Sequence, residues 1–499
     1  SPTPYSKLAA STDAICKMTD ALFSSFAQQI ALKKQSFSAE QRALLSEVLE
    51  EKYKGIAVSE KLKRNLRLLQ EPDTFTVTTG HQLCLMTGPL YFIYKILHVI
   101  KLSADLHEKF PEQHFVPVYW MASEDHDFEE IRSFLLFGQK WTWESAQKGA
   151  VGQFDTKDLQ FLLRALAEKF QNQPDSEIHR LIEKFKVPNY GLGFFEFVNE
   201  LFSLYGLVII DADNARLKES AWPIWQKDLF TSNLHQAVLQ NTQALQEKNL
   251  PTPIESKESN LFLLAKAKRE RIEKSGPIQF EQKDSAQLSP NVVLRPLYQE
   301  WILPNLAYIG GPSEIAYWQQ LPQAFACLDL PFPLTIQRAG GILLQDKDLD
   351  LIQKLGFEKQ DFLSDKAELK KRYLEQVGDQ EPNYGHLDEL WSGYKDAFLK
   401  IVDGEYPQEK RMIEAELTRI QKQREALEQR FEKTRKAKFD KALKQIEQLS
   451  EKIQPKGQLQ ERSTNILNFC PDGAVSERIA SLYQQLDPYN QEKQWFVVS

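Results

Sequence analysis

The sequence predicts an α/β protein in which a parallel sheet carries helical insertions and is followed by a long antiparallel helical hairpin. Three observations lead there. A β-branched run, Phe75-Thr76-Val77-Thr78-Thr79, passes through a glycine loop into a periodic apolar segment opening at Pro89, then into the near-continuous apolar run Phe115 to Met121. That order is expected of a βαβ unit whose strands are covered on both faces. Two more short apolar runs, Gly206 to Ile210 and Pro333 to Ile336, end at Asp211 and near Arg338. Finally, the last third changes to heptad-like spacing without strand signals.

Taken in chain order, Ala14, Met18, Leu22 and Phe26 recur at intervals of four, and Leu44, Leu45 and Val48 repeat the pattern, so residues 13–70 read as helices. Residues 74–127 form the βαβ unit. The stretches between later strands exceed ordinary crossovers, which predicts insertions at about 140–200 and 215–290. Beyond the sheet, Leu387, Trp391, Tyr394, Phe398 and Ile401 step by four and three, and Asp403-Gly404 with Pro407 stops one helix and starts another. The next helix is expected from about Gln408 to Gln454. Its apolar seam slips phase where Phe431 to Phe439 spans eight residues, and its length, about 70 Å at 1.5 Å per residue, calls for a projecting hairpin. The expected division is 1–72 helical lead-in, 73–360 core, 361–456 coiled-coil hairpin and 457–499 returning to the core.

Composition narrows the function. The 499 residues carry 62 Lys+Arg against 69 Asp+Glu, a net charge of −7, which excludes a wholesale polyanion binder. The longest apolar stretch, Tyr91 to Leu102, is broken by Lys95, His98 and Lys101, too many charges for a span. No secretory leader is visible, and Cys16, Cys84, Cys327 and Cys470 are scattered without a CxxC, so a reducing cytoplasm is expected and a thiolate zinc site is not.

Ligands on such sheets bind beyond the carboxyl ends of the strands. Thr79-Gly80-His81-Gln82 to Thr87-Gly88-Pro89-Leu90-Tyr91 therefore reads as a site loop, with glycines for close approach, Thr87 as helix cap, and a helix start able to receive an anion, or else as a plain capped turn. Glu124-Asp125-His126-Asp127-Phe128-Glu129-Glu130 places five carboxylates beside one imidazole. That suits acid–base chemistry or capture of an ammonium group, the alternative being an acidic helix start. In the third block, Arg295 is suited to a carboxylate or phosphate, and Gly310-Gly311-Pro312 opens a helix whose first turn holds Glu314, a candidate capping partner.

At three blocks, TGHQLCLMTGPLYFIYK (79–95), VPVYWMASEDHDFEEI (116–131) and LRPLYQEWILPNLAYIGGPSEIAYW (294–318), the chain resembles the BshC family, cysteine ligases of bacillithiol biosynthesis. Gln337-Arg338 and LQERSTNILNF (459–469) add weaker support. The resemblance implies a Rossmann-like core related to class I aminoacyl-tRNA synthetases and nucleotidylyl transferases, connecting insertions, and a coiled coil that makes a homodimer. It implies addition of cysteine to the amine of glucosaminyl-malate. Matched residues are Gly80, Gln82, Thr87, Gly88, Tyr91 and Lys95; Glu124, Asp125, His126 and Asp127; and Arg295, Gln299, Gly311, Glu314 and Tyr317. His126 is the expected general base and Asp127 the holder of the ammonium group, the others binding substrate.

The chain has Gly80-His81-Gln82 where the family commonly reads Gly-Gln-Gln, and neither HIGH nor KMSKS is present. ATP is the candidate activating cosubstrate, and no metal, nucleic acid or membrane partner is expected. Two other readings are a metal-dependent hydrolase using Glu124 to Asp127 and a nucleotide-binding coiled-coil scaffold without catalysis.

Overall fold

The computed structural model describes residues 12–171, 176–265, 268–274, 279–378 and 383–498. The chain divides into two compact units, one formed by 1–343 with 459–499 and the other by 344–458.

In the first unit, helices Thr12–Ser36, Ala39–Tyr53 and Glu60–Leu68 precede the sheet. Ser38 closes a reciprocal cap with Gln41, its hydroxyl accepting from Gln41 N while Ser38 N donates to Gln41 Oε1, which fixes the start of the second helix. The strands up to residue 337 are β1 (Thr74–His81), β2 (His114–Met121), the hairpin β3 (Ser133–Leu136) and β4 (Gln139–Thr142), β5 (Val208–Asp211), a small antiparallel sheet of β6 (Leu261–Ala265), β7 (Lys268–Arg271) and β8 (Leu288–Pro290), then β9 (Asn305–Gly310) and β10 (Leu334–Gln337). The central sheet is all parallel, in the order β10-β9-β1-β2-β5. From β1 the chain winds outward through β2 to β5, then returns to the other side of β1 for β9 and β10. This is the doubly wound order, with its reversal between β1 and β9.

One strand of that sheet, β9, was not foreseen, because Asn-Leu-Ala-Tyr-Ile-Gly lacks a β-branched run. Its strand state is imposed by neighbours on both sides. Asn305 anchors it: its Oδ1 accepts from the hydroxyls of Thr76 (3.2 Å) and Thr78 (2.8 Å), and its Nδ2 donates to Glu300 Oε1 (2.6 Å). Glu300 is in turn paired with the buried Lys33 at 3.2 Å. A buried charge so compensated avoids the several kcal/mol of an unpaired ion.

The helix Leu90–Lys109 crosses from β1 to β2 and is buried on nearly every side between Leu90 and Ile100, explaining its apolar sequence as core rather than membrane. Among the described residues no helix is long and apolar enough to cross a membrane.

The second unit holds helices Lys366–Gln376, Gly385–Glu405, Lys410–Ala437 and Asp440–Ile453. The expected single helix from Gln408 to Gln454 is two, broken at Lys438 and Phe439, where the eight-residue step lies. One residue beyond a heptad turns the apolar seam by about 100°, and breaking the helix lets the second seam turn inward. Phe439 meets Tyr373 edge-on at 6.4 Å, and Ile446, Leu449 and Ile453 are buried. Arg424 bonds Asp388 and Tyr384 bonds Glu432 across the Gly385–Glu405 and Lys410–Ala437 pair, an antiparallel hairpin as the spacing implied.

Candidate active site

The β1–β9 reversal puts the carboxyl ends of both strands side by side, and seven of the candidate residues meet there. Lys95, one turn into the crossover helix, donates to Gly80 O (2.9 Å) and pairs with Glu314 Oε2 at 2.5 Å. Glu314 also accepts from Tyr308 Oη (2.8 Å) and from Gly311 N (2.7 Å), so it both caps its helix and terminates a charge pair. Burial alone would raise this carboxyl, but Lys95 and the two bonds hold it at about 2. Burial also lowers the Lys95 ammonium, and Glu314 opposes that.

Arg295 lies beside this pair. Its Nη1 donates to Gln299 Oε1 (3.0 Å), its Nη2 to Tyr317 Oη (3.3 Å), and its guanidinium stands over the rings of Tyr308 and Trp318 at 5.1 and 5.7 Å. Among the described residues no carboxylate lies within ion-pair distance of it, although Glu314 already neutralises Lys95 and Glu461 neutralises Arg338 at 2.7 Å. Among the described residues Arg295 is therefore a cation of the crevice without an ion-pair partner. A Cβ at Gly80 would come to 3.3 Å from Tyr308 Oη and 3.4 Å from Arg295 Nη1, so glycine keeps the space beside that cation open.

The loop after β1 does not cap the helix as expected. Met86, Thr87 and Gly88 all have positive φ (49°, 70° and 58°), and the helix start at Pro89 has no side-chain cap. A β-branched residue in the left-handed region is strained and persists only when its surroundings hold it. Here Asn465 does so: its Nδ2 donates to Met86 O (2.6 Å) and Gly88 O (2.8 Å), while Leu90 N, an amide that could have met an anion, donates to Thr464 O. A Cβ at Gly88 would stand 2.5 Å from Cys84 Cβ, which requires glycine there. His81 Nδ1 donates to Gln82 O (3.0 Å). Burial, then the charge of Lys95, lowers its pKa to about 4, so the ring is neutral with its second nitrogen unprotonated. The Tyr91 ring lies tilted against His81 at 5.2 Å and under Arg338 at 5.3 Å.

The acidic run beyond β2 is divided among several duties. Glu124 is buried and pairs with Lys218 at 3.0 Å, which is itself fully buried and also bonded to Asp213. Asp125 accepts from Gln82 Nε2 (2.7 Å) and from His126 N (2.7 Å). Asp127 caps the helix Phe128–Ile131, accepting from Glu130 N at 3.3 Å. The His126 side chain is half exposed, and its Nδ1 accepts from Arg269 Nη1 at 3.0 Å, so when the ring is neutral Nε2 carries the proton. Among the described residues no three His, Cys, Asp or Glu side chains are grouped to hold a metal ion.

Sequence reasoning thus named the cluster of Gly80, Lys95, Arg295, Gln299, Gly311, Glu314 and Tyr317, while Gln82 with Asp125, Glu124 with Lys218, and His126 with Arg269 form separate contacts. It missed Arg269 and Lys218, which carry no motif, and did not single out Tyr308 within the block at 294–318. Asn465 and Glu461 lay in the weaker resemblance block at 459–469, and that block was their only signal.

A doubly wound parallel sheet with a cationic crevice at its switch point defines a Rossmann-like protein. The chain belongs to the bacillithiol biosynthesis BshC family: residues 5–339 match its N-terminal Rossmann-like domain and residues 342–497 its C-terminal coiled-coil domain. Relatives carrying the name cysteine ligase BshC include one from Cytophaga hutchinsonii, 34% identical over 483 residues (92% of this chain, 90% of that one), and one from Flavobacterium psychrophilum, 36% identical over 489 residues (93% and 90%). A Bacillus cereus relative of the same name is 26% identical over 456 residues, covering 83% of each chain. Among solved structures, Plasmodium falciparum tryptophanyl-tRNA synthetase aligns over 87% of this chain and 94% of its own at 10% identity and a TM-score of 0.21, too low to bear on the fold.

Proposed function

We propose that the chain is a ligase of bacillithiol biosynthesis that joins the carboxyl group of cysteine to the amine of glucosaminyl-malate. The observation that carries this reading is Arg295, a guanidinium fixed by Gln299 and Tyr317 at the switch point without a carboxylate of its own. Both substrates bring carboxylates, and a fork-shaped donor set suits them.

Amide formation from a free carboxylate needs that carboxyl activated. A nucleoside triphosphate would supply the leaving group, and Arg295, with the space that Gly80 leaves beside it, is the group that fits a phosphate. The acidic run offers charge for the incoming amine, Asp127 holding the ammonium form. His126 takes its proton once the ring exchanges its Nδ1 bond to Arg269 for solvent or substrate. A cytoplasmic location goes with this reading, since Cys84, Cys327 and Cys470 are free thiols.

The test is direct. Purified protein is given cysteine and glucosaminyl-malate with and without ATP, and products are read by mass. A product heavier than glucosaminyl-malate by one cysteinyl residue is expected; its absence under both conditions refutes the reading.

A further inference from the structure

We propose a second ligand site in the first unit, a pocket that binds a phosphate group at the amino end of β2. It is independent of the ligase reading. His114 opens β2 in register with Thr74, whereas Gly80 faces Trp120 at the other end of the strand pair, so about 20 Å of strand separates this pocket from the switch-point crevice.

The cavity, of about 250 Å³, lies between the helix Glu60–Leu68, the last turns of the helix Leu90–Lys109 and the start of β2. Lys61 and Arg64 line it from the first helix, and His107 and His114 line it from the other side with their rings stacked at 5.9 Å. Among the described residues neither Lys61 nor Arg64 has a carboxylate within ion-pair distance, and Glu108 is the single carboxylate of the lining. Two cations against one acid leave a positive balance before either imidazole is charged. Burial lowers the Lys61 ammonium and the neighbouring Arg64 charge lowers it further, a repulsion that a bound anion would relieve.

Two buried polar atoms at the same place also lack partners. Ser103 is 3% exposed and lines the cavity, and its hydroxyl makes no hydrogen bond; His114 Nδ1 is likewise buried without one. Unsatisfied buried polar atoms are uncommon and mark a missing water, ion or ligand group. His107 Nδ1 donates to Gln113 O (3.1 Å), which leaves its second ring nitrogen uncommitted. An ammonium, a guanidinium, two imidazoles and a hydroxyl around one cavity match the several oxygens of a phosphate better than the two of a carboxylate. The volume admits a small phosphomonoester as well as the free ion.

The probe is the set of histidine ring signals of the full chain in carbon–proton correlation spectra at fixed pH, with His107 and His114 assigned from the H107Q and H114Q variants. Millimolar inorganic phosphate or glycerol phosphate is expected to move both signals in the unsubstituted protein and equally in R295Q, which removes the switch-point cation. Sodium chloride at matched ionic strength should not move them. In K61Q/R64Q, with an intact fold checked by circular dichroism, the movement should vanish. A response to inorganic phosphate alone identifies the free ion as ligand; a stronger response to glycerol phosphate identifies a phosphomonoester. No movement, persistence in K61Q/R64Q, loss in R295Q, or an equal response to malate would each overturn the proposal.

Discussion

Arg295 separates anion binding from the rest of the chemistry at the level of one side chain. A charge-assisted hydrogen bond contributes about 1.5–3 kcal/mol, so Arg295→Gln should raise the KM for the anionic substrate roughly tenfold to a hundredfold with a smaller change in kcat. Arg295→Lys keeps the charge without the fork and should fall between. Glu314 tests the neighbouring pair: its loss leaves the buried Lys95 ammonium uncompensated, and Glu314→Gln should cost about 3 kcal/mol in urea unfolding, with recovery in the Glu314→Gln/Lys95→Met double variant. His98 sets a pH dependence. Its Nδ1 accepts from Ala339 N (2.9 Å), and burial, aided by the Arg338 charge, lowers its pKa to about 3. The unfolded chain takes up that proton near pH 6.5 and the folded chain does not. Stability is therefore full above pH 6.5 and is lost as pH falls from there toward 3, about 2 kcal/mol by pH 5. In His98→Gln the loss of unfolding free energy between pH 7 and pH 5 should be smaller by about 2 kcal/mol, the part that remains including the His81 contribution.

At the level of elements, the loop between β1 and its helix is held from far along the chain. Asn465→Ala removes two donors from buried carbonyls and releases the left-handed run at Met86 to Gly88. A stability loss of about 2 kcal/mol is expected, together with a lower kcat/KM; full activity in a variant of reduced melting temperature would separate the loop from the site. This clamp also shows where sequence reading stopped. Strands β1, β2, β5 and β10 were legible because β-branched and apolar runs announce them, and the site residues at 80–95 and 295–317 were legible because their motifs are local. β9 was not, since its conformation comes from Asn305 gripping Thr76, Thr78 and Glu300. Without β9 the reversal point is invisible. Thr87 failed in the same way: its capping chemistry is a local preference, and Asn465, nearly four hundred residues away, overrides it.

At the scale of the whole molecule, the coiled-coil hairpin exposes more apolar surface than its two helices cover. Leu390, Ile401, Leu427 and Phe431 are each more than half exposed, at 58%, 57%, 67% and 55%, and Ile401, Leu427 and Phe431 lie on the apolar seams of their helices. Side chains of this kind, repeated along two helices and bordered by charged residues, mark an association surface, and a two-fold pair of hairpins would cover the same patch on both copies. The protein is therefore expected to be a homodimer through residues 387–454. Light scattering of the full chain at micromolar concentration should give about twice the 57.7 kDa of one chain. Replacing Leu390, Leu427 and Phe431 together by Gln should give a folded monomer, because these side chains lie on the surface and contribute little to either unit's core. An intact protein that is already monomeric at that concentration removes the dimer, and a triple variant that stays dimeric moves the interface away from the hairpin.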